Sequence, residues 1–226
     1  MKIGKTRSNI RVEIDAHFKI LLQMIVDLAD HYHSEEYAFD KKVDKIYEEA
    51  SKYDYETYSD MTQGYDEIQD EYYLKTLEAR KVLFCAIFSY CESMLYGIRS
   101  FYDINKGRTN QFTQLVKKIC EEYEKKYSEQ MSLSSGKVLI CDYYRPLRNY
   151  FMHGEINPGK DYENLANLVN MEEHLHYNRN KEIEITDNEF LKKSLDLIYE
   201  FLCRIDESYV EKVRENIEND TGDRFL

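Results

Sequence analysis

Four side chains in one stretch of the sequence have the types and the spacing that phosphate chemistry requires. They are Arg145, Arg148, Asn149 and His153. The apolar residues between positions 137 and 153 follow helical spacing, and Gly154 is suited to the end of that helix. At about 100° per residue, with Arg145 at zero, Asn149 falls near 40°, His153 near 80° and Arg148 near 300°. The four side chains therefore share one face, together with Asp142.

This set of side chains suits phosphodiester cleavage. Arginine neutralises phosphate oxygens, and histidine transfers protons near neutral pH. In RNA the 2′-hydroxyl is an internal nucleophile, so a base and a cation suffice without a metal or other cofactor. We therefore predict His153 as general base or proton donor, Arg148 as the clamp on the phosphate and Arg145 as an auxiliary cation. Asn149, four residues before His153, is predicted to fix the imidazole tautomer.

A purely structural interpretation of the same residues also stays open. Arginine and histidine in the last turns of a helix interact favourably with its dipole, and Arg145 is placed to pair with Asp142. Glu92 interrupts an apolar helical run and needs a partner if it is buried, for which Arg148 and Arg145 are the natural candidates. A structural ion pair and a supporting role in the site remain equal alternatives for Glu92.

The elements that must position these residues are long helices, because the 226 residues include only 8 Gly and 2 Pro. Apolar spacing predicts helices over 12–31, 66–102, 109–127 and 137–153, with a break near Ser34 and a frayed turn over 51–64. A capping box of Thr186 and Glu189 predicts the start of a final helix that runs to about residue 217. Residues 155–187 are irregular, with a short helix over 162–170 and a small strand over 182–185. We predict one all-α domain over 1–226, with an N-terminal helical extension (1–60), a bundle core (66–215) and an insertion (155–187).

Charge and cysteine content exclude several classes of function. The net charge of −12 argues against sequence-blind coating of DNA or of an anionic membrane. The most apolar stretch, 82–90, is shorter than the roughly 20 residues that span a bilayer, and no signal peptide is recognisable. Five cysteines without a C-x-x-C pair indicate a reducing compartment, so we expect a cytoplasmic protein. His174 and His176 lack a nearby third ligand, and we predict surface histidines and no metal site.

The segment Arg148-Asn149-Tyr150-Phe151-Met152-His153, followed by Gly154, resembles the Arg-x(4 to 6)-His motif of the HEPN superfamily. HEPN domains often have asparagine after the arginine and glycine after the histidine. The run 77–98 with its embedded Glu92 is similar to their core helix. The likeness extends over about residues 66–209. It implies a HEPN-like bundle of long antiparallel helices, with at most one minor strand pair.

The resemblance also implies an activity. Many HEPN proteins are metal-independent endoribonucleases that act as homodimers, often as toxins with a cognate antitoxin or as antiviral effectors. Arg148, Asn149 and His153 carry over from the motif. Some members have a regulatory tyrosine two residues after the histidine, where this chain has Glu155, so that form of regulation is not expected. Other members have lost catalysis and bind nucleotides or proteins, and a purely structural helical adaptor is a third alternative.

Overall fold

The computed structural model describes residues 3–62, 65–104, 111–131, 133–154 and 159–222. The helices are α1 (Ile3–Ala50), α2 (Tyr55–Thr62), α3 (Tyr65–Phe101), α4 (Phe112–Tyr127), α5 (Ser134–Val138), α6 (Arg145–His153), α7 (Lys160–Met171) and α8 (Glu189–Gly222). A π-helix, Leu139–Tyr144, joins α5 to α6. Two short antiparallel strands, β1 (Leu175–Tyr177) and β2 (Ile183–Ile185), lie between α7 and α8. The prediction of an all-α fold with a minor strand pair is confirmed.

The centre of the fold is the packing of α1, α3 and α8. Each helix contributes a stripe of fully buried apolar side chains to one continuous core. The first half of α1, which we described as an extension, supplies Ile14 and Ile25 to this core, both fully buried. Hydrogen bonds from tyrosine hydroxyls also link the helices. Tyr90 on α3 donates to the carbonyl of Ile14 on α1 at 2.9 Å, and Tyr209 on α8 donates to the carbonyl of Ile119 on α4 at 3.0 Å. The three long helices thus form a rigid base for the shorter elements.

The α3 helix matches the predicted span of 66–102. Its Glu71–Phe101 part is long and apolar enough to cross a bilayer by length and composition. However, 56% of the most apolar window is buried inside the fold. That pattern is typical of the core helix of a bundle.

The predicted break near Ser34 is absent, and the turn predicted over 51–64 is present but shorter than expected. The α1 helix runs through Ser34 without interruption, because serine and glutamate are tolerated inside a helix and no glycine or proline stands nearby. The actual break follows Ala50, where residues 51–54 form a turn. Asp54 then accepts the backbone N–H of Thr57 at 2.9 Å, so α2 begins inside the segment that we expected to be a frayed turn.

The predicted short helix and strand in 155–187 are both present, as α7 and β2. In the hairpin Leu175 pairs with Ile185 and Tyr177 with Ile183. The backbone N–H of Ile183 donates to the hydroxyl of Tyr150 at 3.3 Å, so the hairpin braces α6. The start of α8 also differs from the predicted Thr186–Glu189 capping box, since Asp187 accepts the N–H of Glu189 at 2.8 Å.

Gly154 ends α6 in the left-handed conformation, with φ of 76° and its N–H bonded to the carbonyl of Tyr150 at 2.7 Å. Because this conformation strains any residue with a Cβ atom, Gly154→Ala is expected to lower the free energy of unfolding by about 1–2 kcal/mol. Urea denaturation measures this. A Cβ at Gly154 would meet no atom within 4 Å, so the cost is backbone strain alone.

Gly136→Ala is the matched control. Gly136 lies inside α5, and an added Cβ would contact Phe201 at an ordinary 3.8 Å. Alanine there should be neutral or stabilising by up to about 1 kcal/mol. Equal destabilisation by both substitutions would contradict the assignment of Gly154 as the helix-ending residue.

Candidate functional site

The candidate site lies on α6, whose start is set by Pro146. Proline has no N–H to donate, and the N–H of Arg145 bonds to the carbonyl of Ile140, five residues back. The carbonyl of Cys141 therefore accepts no hydrogen bond from the backbone of Arg145 or Pro146, the residues that would donate to it in an α-helix or in a π-helix. The side chain of Arg145 replaces these backbone donors, its Nε donating to Cys141 O at 3.1 Å. A π-helix followed by a regular α-helix is the result.

The π-helix changes the faces predicted for residues before position 145. At a uniform 100° per residue Cys141 would lie on the same side as Arg148, but this residue is 8% exposed and belongs to the core. The wider turns of a π-helix rotate the upstream residues relative to α6. Within α6 the spacing is regular, and the predicted division into two faces is retained. Leu147 is fully buried, whereas Asn149 is half-buried and His153 is exposed.

We call the exposed face of α6 the polar arc; it carries Arg145, Arg148, Asn149, Met152 and His153. An aromatic cluster holds the opposite face in place. The ring of Phe84 on α3 meets that of Phe151 at 5.9 Å and that of Tyr144 at 5.7 Å, both edge to face. Because Phe84 is fully buried, these ring contacts anchor α6 to the core and leave the polar arc on the opposite side.

Arg148 is the unusual cation of the arc. Its Nη1 donates to Asn149 Oδ1 at 3.2 Å, and its Nε is buried without a hydrogen-bond partner. No carboxylate of the described residues lies within ion-pair distance of it. The guanidinium is close enough to Cys85 on α3 to oppose the rise that burial causes in the pKa of that thiol. Arg148 is therefore a half-buried positive charge that the described protein leaves uncompensated.

Asn149 does not have the predicted role. We expected it to orient His153, but its side-chain oxygen binds Arg148. A guanidinium is the stronger donor because the hydrogen bond is charge-assisted. The imidazole of His153 is exposed and has no bonding partner in the described part of the chain. Asn149 is thus a positioning residue for the arginine.

Arg145 is already paired, which weakens its predicted role as an auxiliary cation. Its Nη2 lies 2.6 Å from Asp161 Oδ1 on α7. The alternative pairing with Asp142 is also wrong, since that carboxylate lies 3.5 Å from Lys160. Asp161, in the first turn of α7, therefore neutralises the charge of Arg145 at the amino-terminal end of the polar arc. Sequence spacing could not reveal this, because the partner follows 16 residues later in a separate helix.

Glu92 has neither of its predicted partners. It is half-buried on α3, two turns beyond Cys85, and forms no ion pair with Arg145 or Arg148. Partial exposure removes the need for a counter-ion that full burial would impose. Glu155, at the position of the regulatory tyrosine, lies outside the described residues.

The remaining candidates for nucleophiles or metal ligands are the cysteines and histidines. All five cysteines are free thiols. Burial raises the pKa of Cys141 and of Cys203 to about 11, so these thiols stay protonated and poorly nucleophilic near neutral pH. Among the described residues, no three His, Cys, Asp or Glu side chains are grouped to hold a metal ion. The prediction that His174 is a surface residue is wrong: its Nδ1 lies 2.6 Å from Asp187 Oδ2, and its side chain is 14% exposed.

Comparison of the chain with family models, with curated proteins and with solved structures found no match.

Proposed function

We propose that this protein is a metal-independent endoribonuclease of the HEPN type, acting in the cytoplasm as a toxin or antiviral effector. The observation that carries the proposal is Arg148, a half-buried cation without a carboxylate partner among the described residues, on the same exposed arc as His153. In a chain with a net charge of −12, an arginine left without a counter-ion is suited to a phosphate. His153, on the same arc, supplies proton transfer.

The reaction would proceed by attack of the RNA on itself. A base removes the proton of the 2′-hydroxyl, and the oxygen attacks the adjacent phosphorus. The bond from phosphorus to the 5′-oxygen breaks, and that oxygen takes up a proton. The products are a 2′,3′-cyclic phosphate and a 5′-hydroxyl. His153 exchanges these protons, and Arg148 stabilises the extra negative charge on the pentacoordinate phosphate.

The site would be shared between two copies of the chain. Within α6, Arg148 and His153 are five residues and about 140° apart, an awkward geometry for gripping one phosphate. Exposed apolar side chains lie on the arc and on the neighbouring helix α3: Met152 is 54% exposed, and Val82, one turn before Cys85, is 68% exposed. Apolar side chains around an uncompensated cation are typical of an interface. A homodimer, and an antitoxin or regulatory protein that covers the arc, are the partners we propose besides RNA.

Cleavage is expected to persist in excess chelator and to leave a 2′,3′-cyclic phosphate, because the proposed mechanism needs only protein side chains and the 2′-hydroxyl. The measurement is cleavage of labelled RNA with and without chelator, followed by mass spectrometry of the ends. A DNA strand of the same sequence should be spared. Loss of activity in chelator, or equal cleavage of the DNA, would overturn this mechanism.

One observation favours a second function, a catalytically silent module that binds a nucleotide or an acidic group. Nothing in the described part of the chain fixes the imidazole of His153, whereas a general base is normally oriented by a neighbouring group. In this alternative Arg148 binds the anion and no bond is broken. Wild-type protein that binds RNA or nucleotide but cleaves none of a diverse RNA set, with or without metal, would support it.

A further inference from the structure

A second candidate site lies away from the polar arc, in a cleft between α1, α3 and the loop that joins β2 to α8. Its volume is about 470 Å³, which is within the range of small-molecule sites. The inner end is formed by Arg80 on α3, one turn before Phe84. The outer end is formed by Glu36 and Asp40 on α1. The nature of these groups determines which ligand fits.

Arg80 is held firmly but is not neutralised. Its Nε donates to Asn188 Oδ1 at 3.1 Å, and its Nη1 donates to the carbonyls of Thr186 at 2.6 Å and Ile185 at 3.4 Å. These acceptors are uncharged, and burial lowers the pKa of Arg80. Its Nη2 forms no hydrogen bond within the described part of the chain. The inner end of the cleft therefore offers a fixed, partly desolvated donor to an anion.

Two carboxylates act on Arg80, Asp187 more strongly than Glu36, and Asp187 is already bound elsewhere. The carboxylate of Asp187 is close enough to Arg80 to favour the charged form of the guanidinium. However, its Oδ2 lies 2.6 Å from His174 Nδ1, and its Oδ1 accepts the N–H of Glu189 at 2.8 Å. Asp187 thus holds the hairpin to the start of α8 and does not form an ion pair with the arginine.

The walls of the cleft are aromatic. Tyr32 and Phe39 come from α1, and Tyr72 and Tyr73 from α3. The rings of Phe39 and Tyr72 are 5.9 Å apart, and the hydroxyl of Tyr32 donates to the carbonyl of Lys75 at 3.3 Å. Because these contacts hold the rings in place, the middle of the cleft offers a preformed apolar surface to the body of a ligand.

The outer rim is acidic. Glu36 and Asp40 are one turn apart on α1, both exposed, and neither forms an ion pair within the described residues. Two carboxylates close to one arginine disfavour a phosphate dianion. They favour a ligand whose other end is a cation. The order of groups along the cleft is therefore donor, aromatic wall and paired carboxylates.

We propose that this cleft binds a short zwitterionic peptide. Its carboxylate would bind Nη2 of Arg80, an apolar or aromatic side chain would pack between the tyrosines, and its ammonium group would lie beside Glu36 and Asp40. The site is independent of the proposed ribonuclease activity, since none of its residues belongs to the polar arc.

The test is calorimetric titration of the full chain with the tripeptide Ala-Ala-Phe, beside its C-terminally amidated and its N-acetylated forms. The free peptide is expected to bind with a Kd below about 1 mM. Amidation should weaken binding by about tenfold or more, because the bond to Arg80 loses its charged acceptor. In Arg80→Gln, amidation should have no further effect. Inorganic phosphate serves as the competing anion.

Because Arg80→Gln removes hydrogen bonds to the loop between β2 and α8, a second variant tests the proposal without changing that loop. Glu36→Gln combined with Asp40→Asn changes only exposed side chains, and it should abolish the tripeptide's preference over its acetylated form. Asp30→Asn with Asp44→Asn removes the same charge from exposed positions of α1 outside the cleft and should bind as wild type does. Absence of saturable tripeptide binding to the wild type, tighter binding of phosphate, or equal loss in the control pair would each overturn the proposal.

Discussion

His153→Ala is expected to reduce RNA cleavage by about 100- to 10,000-fold, the range over which a positioned acid or base contributes to catalysis. The imidazole is exposed at the end of α6 and makes no contact on which the fold depends. Circular dichroism and the melting temperature should therefore match those of the wild type. The loss should appear in kcat, because the proton transfer contributes in the transition state and not to binding.

Arg148→Ala is the companion variant, and it should reduce cleavage by about 100- to 1,000-fold through loss of charge stabilisation. It also relieves the desolvation of a guanidinium whose Nε has no partner, so the free energy of unfolding should not fall. Arg148→Lys should recover little activity, since an ammonium cannot reproduce the planar fork.

Two variants with matched chemistry serve as controls. His176→Ala removes an exposed histidine from β1, and Arg204→Ala removes an exposed arginine from α8. Both should cleave RNA at the wild-type rate. Full activity in His153→Ala would refute a catalytic role for this residue, and loss of helical signal in either arc variant would assign the residue to the fold instead.

The long helices could be predicted because their signals are local. The α3 helix has apolar residues on nearly all sides and no proline, so burial and propensity agree over its whole length. The error at Ser34 has an equally local cause. A residue that suits the start of a helix does not end the preceding one, and without a glycine or proline nearby the helix continues. Predicted ends are reliable where the chain must adopt a positive φ, as at Gly154.

The composition of the arc could also be predicted, but its electrostatics could not. Residues on one helix keep fixed angular relations, so Arg148 and His153 both belong to the polar arc, the first half-buried and the second exposed. The partner of Arg145 comes from α7, and only tertiary packing decides it. The sequence shows that Pro146 lacks a backbone hydrogen-bond donor. Whether the lost hydrogen bond leads to a kink or to a π-helix depends on how Tyr144 and Leu147 pack in the core.

A large effect on RNA cleavage is also expected in heterodimers whose two subunits carry different substitutions. If a two-fold axis lies beside the arc, each cleft combines Arg148 of one subunit with His153 of the other. A heterodimer of an Arg148→Ala subunit with a His153→Ala subunit then has one cleft with both residues intact and one with neither. It should recover about half of the wild-type activity, although each homodimer is inactive. A sedimentation measurement that finds only monomer at micromolar concentration would remove the basis for this expectation.

The reciprocal heterodimer distinguishes shared sites from sites within one chain. When a wild-type subunit is paired with a subunit carrying both Arg148→Ala and His153→Ala, every shared cleft lacks one of the two residues, so activity should fall to the level of the inactive homodimers. Sites within one chain give the opposite pattern: this heterodimer would keep about half of the activity, and the first would have none. Differently tagged subunits, purified in tandem and assayed before they exchange, allow the comparison. Because both heterodimers contain the same two substitutions in total, a difference between their cleavage rates reflects how the residues are distributed between subunits and not a change in stability or net charge.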